Sequence, residues 1–420
     1  MDRVLVVCFK LIGVSFLFVG QVVPAFFMDA NEYGEYASLI SFVSICVVLS
    51  VFGGDRYLLK EVSVSYGLNS FFESNILILI KCLLFCFLVV FVVVVLKYYG
   101  DFYILFFVVL TVMFNVLFVL STSLLRGSGN RLLAEFLLNV FRPFLFVFMI
   151  FVVFNYYDFE GVSSEGLIYV LMFSWGIAFV AQVFFLVKKT TVFGFLLNMP
   201  VLGGEWCFFK KLFPFAMLAI GPGLLNQIDI YMVSVVCGNI EAGGYAIASK
   251  ASQLLNLSSV ALNLYLAPII ARMFKDRISR SVALKEIKMT MVFVAVLTVL
   301  PAIVVISYST ELLGIVNEEY VSNDSLLNVL VLAKVFSALC GPVFVFLAMA
   351  GDELFAGVLS VISVVVLGLL IYIIAPVYSA ESAAYIQLFV TAFLNAILAI
   401  RVYYKFKIDV SIIGLFRKGI

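Results

Sequence analysis

A chain of 420 residues that is 65% hydrophobic and only 12% charged falls outside the range of soluble domains, which carry about 25% charged residues, and reads as a polytopic membrane protein. Its net charge of +1 says nothing about partners, because the charges are sorted by position. The absence of His excludes imidazole metal sites, imidazole general bases and the usual triads, and the seven Cys, with no C-x-x-C spacing, imply no disulfide framework.

In chain order, apolar windows of about 20 residues predict membrane spans near 4–27, 36–53, 75–96, 102–125, 132–154, 166–187, 212–236, 244–268, 287–308, 325–349, 354–376 and 382–403, twelve in all. The first run is longer than the apolar region of a removable signal peptide and lacks its small-x-small cleavage site. Cys82 and Cys86 share a helix face in the third span and read as small packing residues. Of the 26 bases, five lie inside spans and Lys97 alone falls on the second side, which leaves twenty flanking the spans on the N-terminal side. That bias predicts both termini in the cytoplasm and makes the basic loop at 272–288 an orientation signal, not a nucleic-acid site. The acidic outer loops read as solvated faces.

The longest inner connection, 188–210, suits a short interfacial helix and divides the chain into an N-terminal six-helix lobe (1–187), a cytoplasmic interfacial linker (188–210), and a C-terminal six-helix lobe with a short cytoplasmic tail (211–420). An internal repeat supports the division. Glu32, Gly34, Tyr36 and Ala37 before the second span correspond to Glu241, Gly243, Tyr245 and Ala246 before the eighth. Gly129 and Ala134 after the fourth span correspond to Gly351 and Ala356 after the tenth. Six spans per half make the repeats parallel, and in such folds the substrate lies between lobes. The expected fold is therefore all-α: twelve transmembrane helices in two six-helix lobes with a central cavity.

Charges inside the spans point the same way. The bases are Lys10, Lys81, Arg142, Lys250 and Lys334; the acids are Asp229 and Glu135. Each unpaired charge near mid-bilayer costs about 2.5–3.5 kcal/mol on insertion scales, so water in a cavity is the simplest account of the excess. Asp229 and Lys250 flank the turn at 237–244 at similar depths, roughly 9–10 Å, and can meet. They are either a structural ion pair or a pair lining a polar cavity that breaks as the protein changes state.

Ser249, Ser252, Gln253, Asn256, Ser259 and Asn263 fall on one arc of the eighth span. Arg131, Glu135, Asn139 and Arg142 share a face of the fifth; Thr111, Asn115, Thr122 and Arg126 share one of the fourth; Lys10 and Gln21 share one of the first. Any single stripe is explained by interhelical hydrogen bonds; four together indicate a hydrophilic lumen. Excess positive charge suits an anionic substrate, and amides and hydroxyls suit sugar hydroxyls. Gly221, Pro222 and Gly223, with Pro214, predict a bend in the seventh span, either a static kink or a hinge beside Asp229.

Pro24-Ala-Phe-Phe, Glu32-Tyr-Gly-Glu-Tyr-Ala, Leu124-Leu-Arg-Gly-Ser-Gly, Phe213-Pro-Phe with Asn226-Gln-Ile-Asp, and Gly243-Gly-Tyr-Ala together resemble the polysaccharide repeat-unit flippases (Wzx-type, O-antigen or capsule translocases) of the multidrug/oligosaccharidyl-lipid/polysaccharide exporter superfamily. The resemblance covers nearly the whole chain. It implies a bacterial inner-membrane bundle that moves an undecaprenyl-pyrophosphate-linked oligosaccharide from the cytoplasmic to the periplasmic leaflet by alternating access. A basic lumen would hold the pyrophosphate, mapping onto Arg142, Lys250 and Lys334 and less directly onto Lys10. A polysaccharide polymerase and a chain-length regulator are implied partners.

Asn115, Asn139, Gln253, Asn256 and Asn263 are expected to meet sugar hydroxyls. Asp229, Glu135, Gly221, Pro222 and Gly223 are expected to serve coupling or gating. No cofactor, metal or covalent catalysis is expected. The alternative is a cation-coupled multidrug exporter of the same superfamily; the branch of drug exporters typically carries an acid in the first span, where this chain has Lys10.

Overall fold

Hydrocarbon offers no partner to a backbone N–H or C=O, so a chain this apolar must satisfy those groups within each segment or in a closed barrel. The computed structural model describes residues 2–64, 102–156, 164–188, 205–275, 279–410 and 412, and among them the regular structure is helical throughout. The predicted third span, with Lys81, Cys82 and Cys86, and most of the predicted linker lie outside the described residues.

The first half runs α1 (Asp2–Val22), α2 (Ala30–Val51), α3 (Gly54–Val64), α4 (Phe102–Gly127), α5 (Arg131–Tyr156) and α6 (Ser164–Val187). There follow α7 (Glu205–Leu224), α8 (Ile228–Cys237), α9 (Asn239–Leu254), α10 (Asn256–Phe274), α11 (Arg280–Ser307) and α12 (Ser309–Val316). The chain ends with α13 (Asp324–Cys340), α14 (Val343–Met349) and α15 (Glu353–Phe406).

Nine of the described helices are long and apolar enough to cross a membrane, or ten if the broken pair α7 and α8 is one span. The protein is thus an all-α, multi-pass membrane protein. The nine count α15 once. Its 54 residues would reach about 80 Å, far more than a 30 Å hydrocarbon core, and Ser379, at φ 67°, kinks it between the two predicted final spans. Val358, Ile362, Val365, Leu369 and Ile373 are exposed on α15 while Ala356, Ser360, Val364, Leu367 and Ile371 are buried. An apolar stripe on the outside as well as the inside is what a lipid-facing helix requires.

Contacts divide the chain into two compact units. The first comprises Met1–Met28 and Leu39–Gln227, the second Asp29–Ser38 and Ile228–Ile420. In the first, α4 packs on α6 and α3, around Val108, Val112, Phe118 and Leu125. In the second, α15 packs on α8 and α13, around Leu327, Leu330, Val331 and Leu367.

Four local expectations are corrected. The turn predicted at 237–244 is a single residue, Gly238 at φ 94°, so α9 starts earlier and Lys250 lies deeper in its helix than the sequence suggested. The predicted bend at Gly221, Pro222 and Gly223 is displaced: α7 continues through both of its prolines, and the break falls at 225–227, just before Asp229. The eighth span is interrupted at Leu255, and the tenth stops at Cys340 before Gly341 and Pro342.

The sequence repeat has a structural counterpart. Gly129 and Gly351, at equivalent positions, both turn with positive φ, 86° and 81°. The two opening motifs also pack on one another: a Cβ on Gly34 would run into the Asn239 carbonyl, and one on Gly243 would lie 2.6 Å from the Ala30 carbonyl oxygen. Only glycine lets the two backbones approach so closely. The first turn of α2 is completed by the Glu319 carboxylate, which accepts the Ala30 N–H at 3.1 Å, a group that the helix itself leaves unpaired. After Gly351, Asp352 accepts from Arg401 Nε and pairs with Lys405 Nζ, each at 2.8 Å.

Gly243→Ala is expected to lower the unfolding temperature in detergent, the close approach costing about 1–3 kcal/mol. Gly176→Ala, whose Cβ would meet Phe114 at an ordinary 3.6 Å, is expected to change it little. The Arg401 hydrogen bond, followed by Lys405, holds the Asp352 carboxyl below its ordinary 3.8. A lowered native value means that the stabilisation is present above the ordinary value and is lost as pH falls through the native one. Asp352→Asn should therefore unfold at a lower temperature than the parent at pH 7, and the gap should close as the pH is taken below about 4 in a thermal series.

Candidate functional site

In the first unit, α5 carries the decisive local feature. Residues Leu137–Phe141 form a π turn in its middle, and an extra residue in a turn rotates everything after it by about 100° relative to a regular helix. Before the turn, Glu135 is buried; it pairs with Arg126 Nε at 3.1 Å and accepts from the Asn139 amide at 2.9 Å. Lys10 of α1 lies in the electrostatic reach of this group, along with Arg131. After the turn, Arg142 leaves that face. The regular phase that aligned Arg142 with Glu135 and Asn139 does not hold, because the π turn intervenes.

Arg142 instead sits with its guanidinium 4.2 Å from the centre of the Trp175 ring of α6, a geometry in which the ring face attracts the cation. The ion pairs of the described residues do not include it. It lines a cavity of about 200 Å³ with Gln21, Ser44, Asn115, Ser174 and Trp175. Leu17, Ile40, Val43, Phe146 and Leu171 also line it, and among the described residues no acid does. Asn115 is buried, 7% exposed. Ser44 and Ser174 donate to the carbonyls of Ile40 and Leu171, at 2.8 Å each, so what they turn toward the cavity is acceptor capacity.

The rest of the α4 stripe is used in packing. Thr122 accepts from the buried Gln182 amide of α6 at 2.7 Å, Ser121 donates to the Gln182 carbonyl oxygen, and Thr111 bonds back to Phe107 at 2.8 Å. The sequence reading missed Trp175, Gln182, Ser44 and Ser174. A single Trp within an apolar span, seven residues before a single Gln, was the available signal.

In the second unit, three helices converge on one carboxylate. Asp229, 1% exposed, stands in the first turn of α8, directly after the break between α7 and α8. Its oxygens accept from the Ile230 N–H at 2.9 Å and from the Tyr245 hydroxyl of α9 at 3.1 Å. Lys250 of α9 and Lys334 of α13 both act on its charge. Lys250 is buried, at 6%. One acid thus stands among two bases.

The remaining predicted polar residues scatter. Gln253 turns back to Ser249 at 3.2 Å, Ser252 donates to the Ser249 carbonyl at 2.8 Å, and Asn256 and Asn263 lie half-buried on α10 beyond the interruption at Leu255. Gly221, Pro222 and Gly223 lie inside α7, where Gly223 packs against Val48 of α2. Among the described residues no cluster of acids, Cys and His could hold a metal ion.

No protein-family model matches the chain, and no curated protein sequence matches it. Solved structures do. The fold is similar to that of a mutant of VcmN, a MATE transporter of Vibrio cholerae, with TM-score 0.61 and 13% identity over 97% of this chain and 96% of that one. It is similar to an inward-facing multidrug resistance MATE family transporter of the MOP superfamily, with TM-score 0.61 and 12% identity over 100% of this chain and 95% of that one. It is also similar to a MOP superfamily transporter from Pyrococcus furiosus, described as having a binding pocket of reverse polarity that suggests a different function, with TM-score 0.55 and 11% identity over 99% and 96%. At these identities the likeness is one of fold.

Glu135→Gln leaves Arg126 without its counter-charge, and the expected result is a lower unfolding temperature. Replacing the pair together, as Arg126→Met with Glu135→Leu, should recover much of the loss, because an apolar pair needs no compensation. Equal destabilisation by both variants in a thermal melt would show that the pair is not what holds this end of α5.

Proposed function

We propose that this chain is a transporter that flips an undecaprenyl-pyrophosphate-linked oligosaccharide repeat unit from the cytoplasmic to the periplasmic leaflet of a bacterial inner membrane by alternating access, with both termini cytoplasmic. The observation that carries this reading is Arg142, set in a cavity of amides, hydroxyls and an indole with no acid among the described lining residues. A guanidinium in such surroundings calls for an anion, and the neutral polar groups beside it suit sugar hydroxyls. The second unit adds to it, since it brings two bases, Lys250 and Lys334, within the electrostatic reach of Asp229. Transport is also what the proteins sharing the fold are named for, and one of them is set apart by the polarity of its pocket.

In this reading Arg142, Lys250 and Lys334 attract the anionic groups, Lys10 supports them, and Asn115, Asn256 and Asn263 meet hydroxyls. Asn139 and Gln253, already bonded to Glu135 and Ser249, contribute less. Asp229, beside the break between α7 and α8, is the coupling group. The rival, a cation-coupled multidrug exporter, is favoured by the drug exporters among the fold's relatives.

Arg142→Gln and Lys334→Gln should each abolish surface polysaccharide in the cell that makes it, with protein abundance and drug susceptibility unchanged. Unchanged polysaccharide together with increased drug susceptibility would establish the exporter instead.

A further inference from the structure

The cavity around Arg142 has features that say which part of such a substrate it reads. Its volume, about 200 Å³, is that of some six or seven waters at roughly 30 Å³ each, below the roughly 300–1,000 Å³ of sites for drug-sized ligands. It has room for one sugar ring and not for an extended oligosaccharide. The guanidinium lies over the Trp175 ring, an arrangement compatible with its N–H edges forming the two parallel bonds that a carboxylate accepts. The other polar groups are uncharged: the Asn115 amide supplies donor and acceptor, and the Ser44 and Ser174 oxygens, already donating to their own helices, accept.

We infer that this cavity is the recognition site for a single monoanionic sugar residue, a pyranose ring bearing one carboxylate, with Arg142 binding the carboxylate and Trp175 acting as the residue that positions Arg142. The charge balance selects the class. Among the described residues the site brings one positive charge, which a uronic acid cancels; a pyrophosphate would leave negative charge uncompensated in a low-dielectric wall, and a neutral sugar would leave the guanidinium so. The inference rests on the flippase reading above and adds that the repeat unit contains an acidic sugar, held here and apart from its pyrophosphate.

Trp175 is also the reporter. With Trp206, the second of the two tryptophans, replaced as Trp206→Phe, the purified protein in nanodiscs is titrated with D-glucuronate, D-glucose and inorganic pyrophosphate while Trp175 emission is followed. A saturable change with glucuronate is expected, at least tenfold tighter than with glucose or pyrophosphate, and Arg142→Gln in the same background should abolish it. Calorimetry on Trp175→Phe and Trp175→Ala separates positioning from bulk: Phe should retain glucuronate binding within about fivefold, and Ala should lose at least tenfold.

Pyrophosphate binding as tightly as glucuronate, or no response to any probe, overturns the assignment. If that result is accompanied by loss of surface polysaccharide in Arg142→Gln, the flippase reading stands and only the sugar assignment falls. Normal polysaccharide in that variant removes the reading beneath it as well.

Discussion

A charge enclosed by apolar helices must be answered by an opposite charge, by the face of an aromatic ring, or by a ligand or water admitted to a cavity. The arrangement of the first unit follows from how one acid is allotted. Glu135 goes to Arg126 and Asn139; the π turn at Leu137–Phe141 then swings Arg142 away from it, and among the described residues it is the indole of Trp175 that answers Arg142. A cation held over an aromatic face is oriented without being neutralised. A cavity that retains its positive charge is thus produced by a local irregularity in a helix together with a competing pair one turn earlier.

The second unit resolves the same constraint differently. The break at 225–227 places Asp229 in the opening turn of α8, where unpaired N–H groups and the helix dipole favour a carboxylate. Tyr245 holds it by a hydrogen bond, so the acid is fixed before either lysine is considered. Irregular backbone in a membrane is tolerated where it is enclosed by protein or lines a cavity, and two interruptions of this chain lie beside buried charges, the π turn beside Arg142 and the break beside Asp229, while Leu255 falls between the neutral Gln253 and Asn256.

The repeat connects the halves in a way that neither motif suggests alone. Gly34 and Gly243 occupy the same position in their respective halves, and they are where α2 and α9 cross backbone to backbone. Gly129 and Gly351 share a left-handed turn, and near each an acid pairs with bases, Glu135 with Arg126 and Asp352 with Arg401 and Lys405. Duplicated sequence has kept duplicated backbone geometry at the turns, while the buried charges of the two units have diverged.

Much of this was decided by sequence alone. Apolar runs of membrane length can only be helices, so the class, the approximate spans and the candidate charges could be read directly, and glycine at matching positions revealed the repeat. What sequence did not determine is which partner each charge takes. Helical phase orders residues along one helix, and it carried Arg142 onto the face of Glu135 because a period of 3.6 assumes no irregular turn. Trp175 and Gln182 belong to a different helix from the residues they serve, and only packing brings α6 against α4 and α5. The sequence set which charges had to be answered; the tertiary structure chose what answers them, since that choice depends on distances between helices and not on spacing within one.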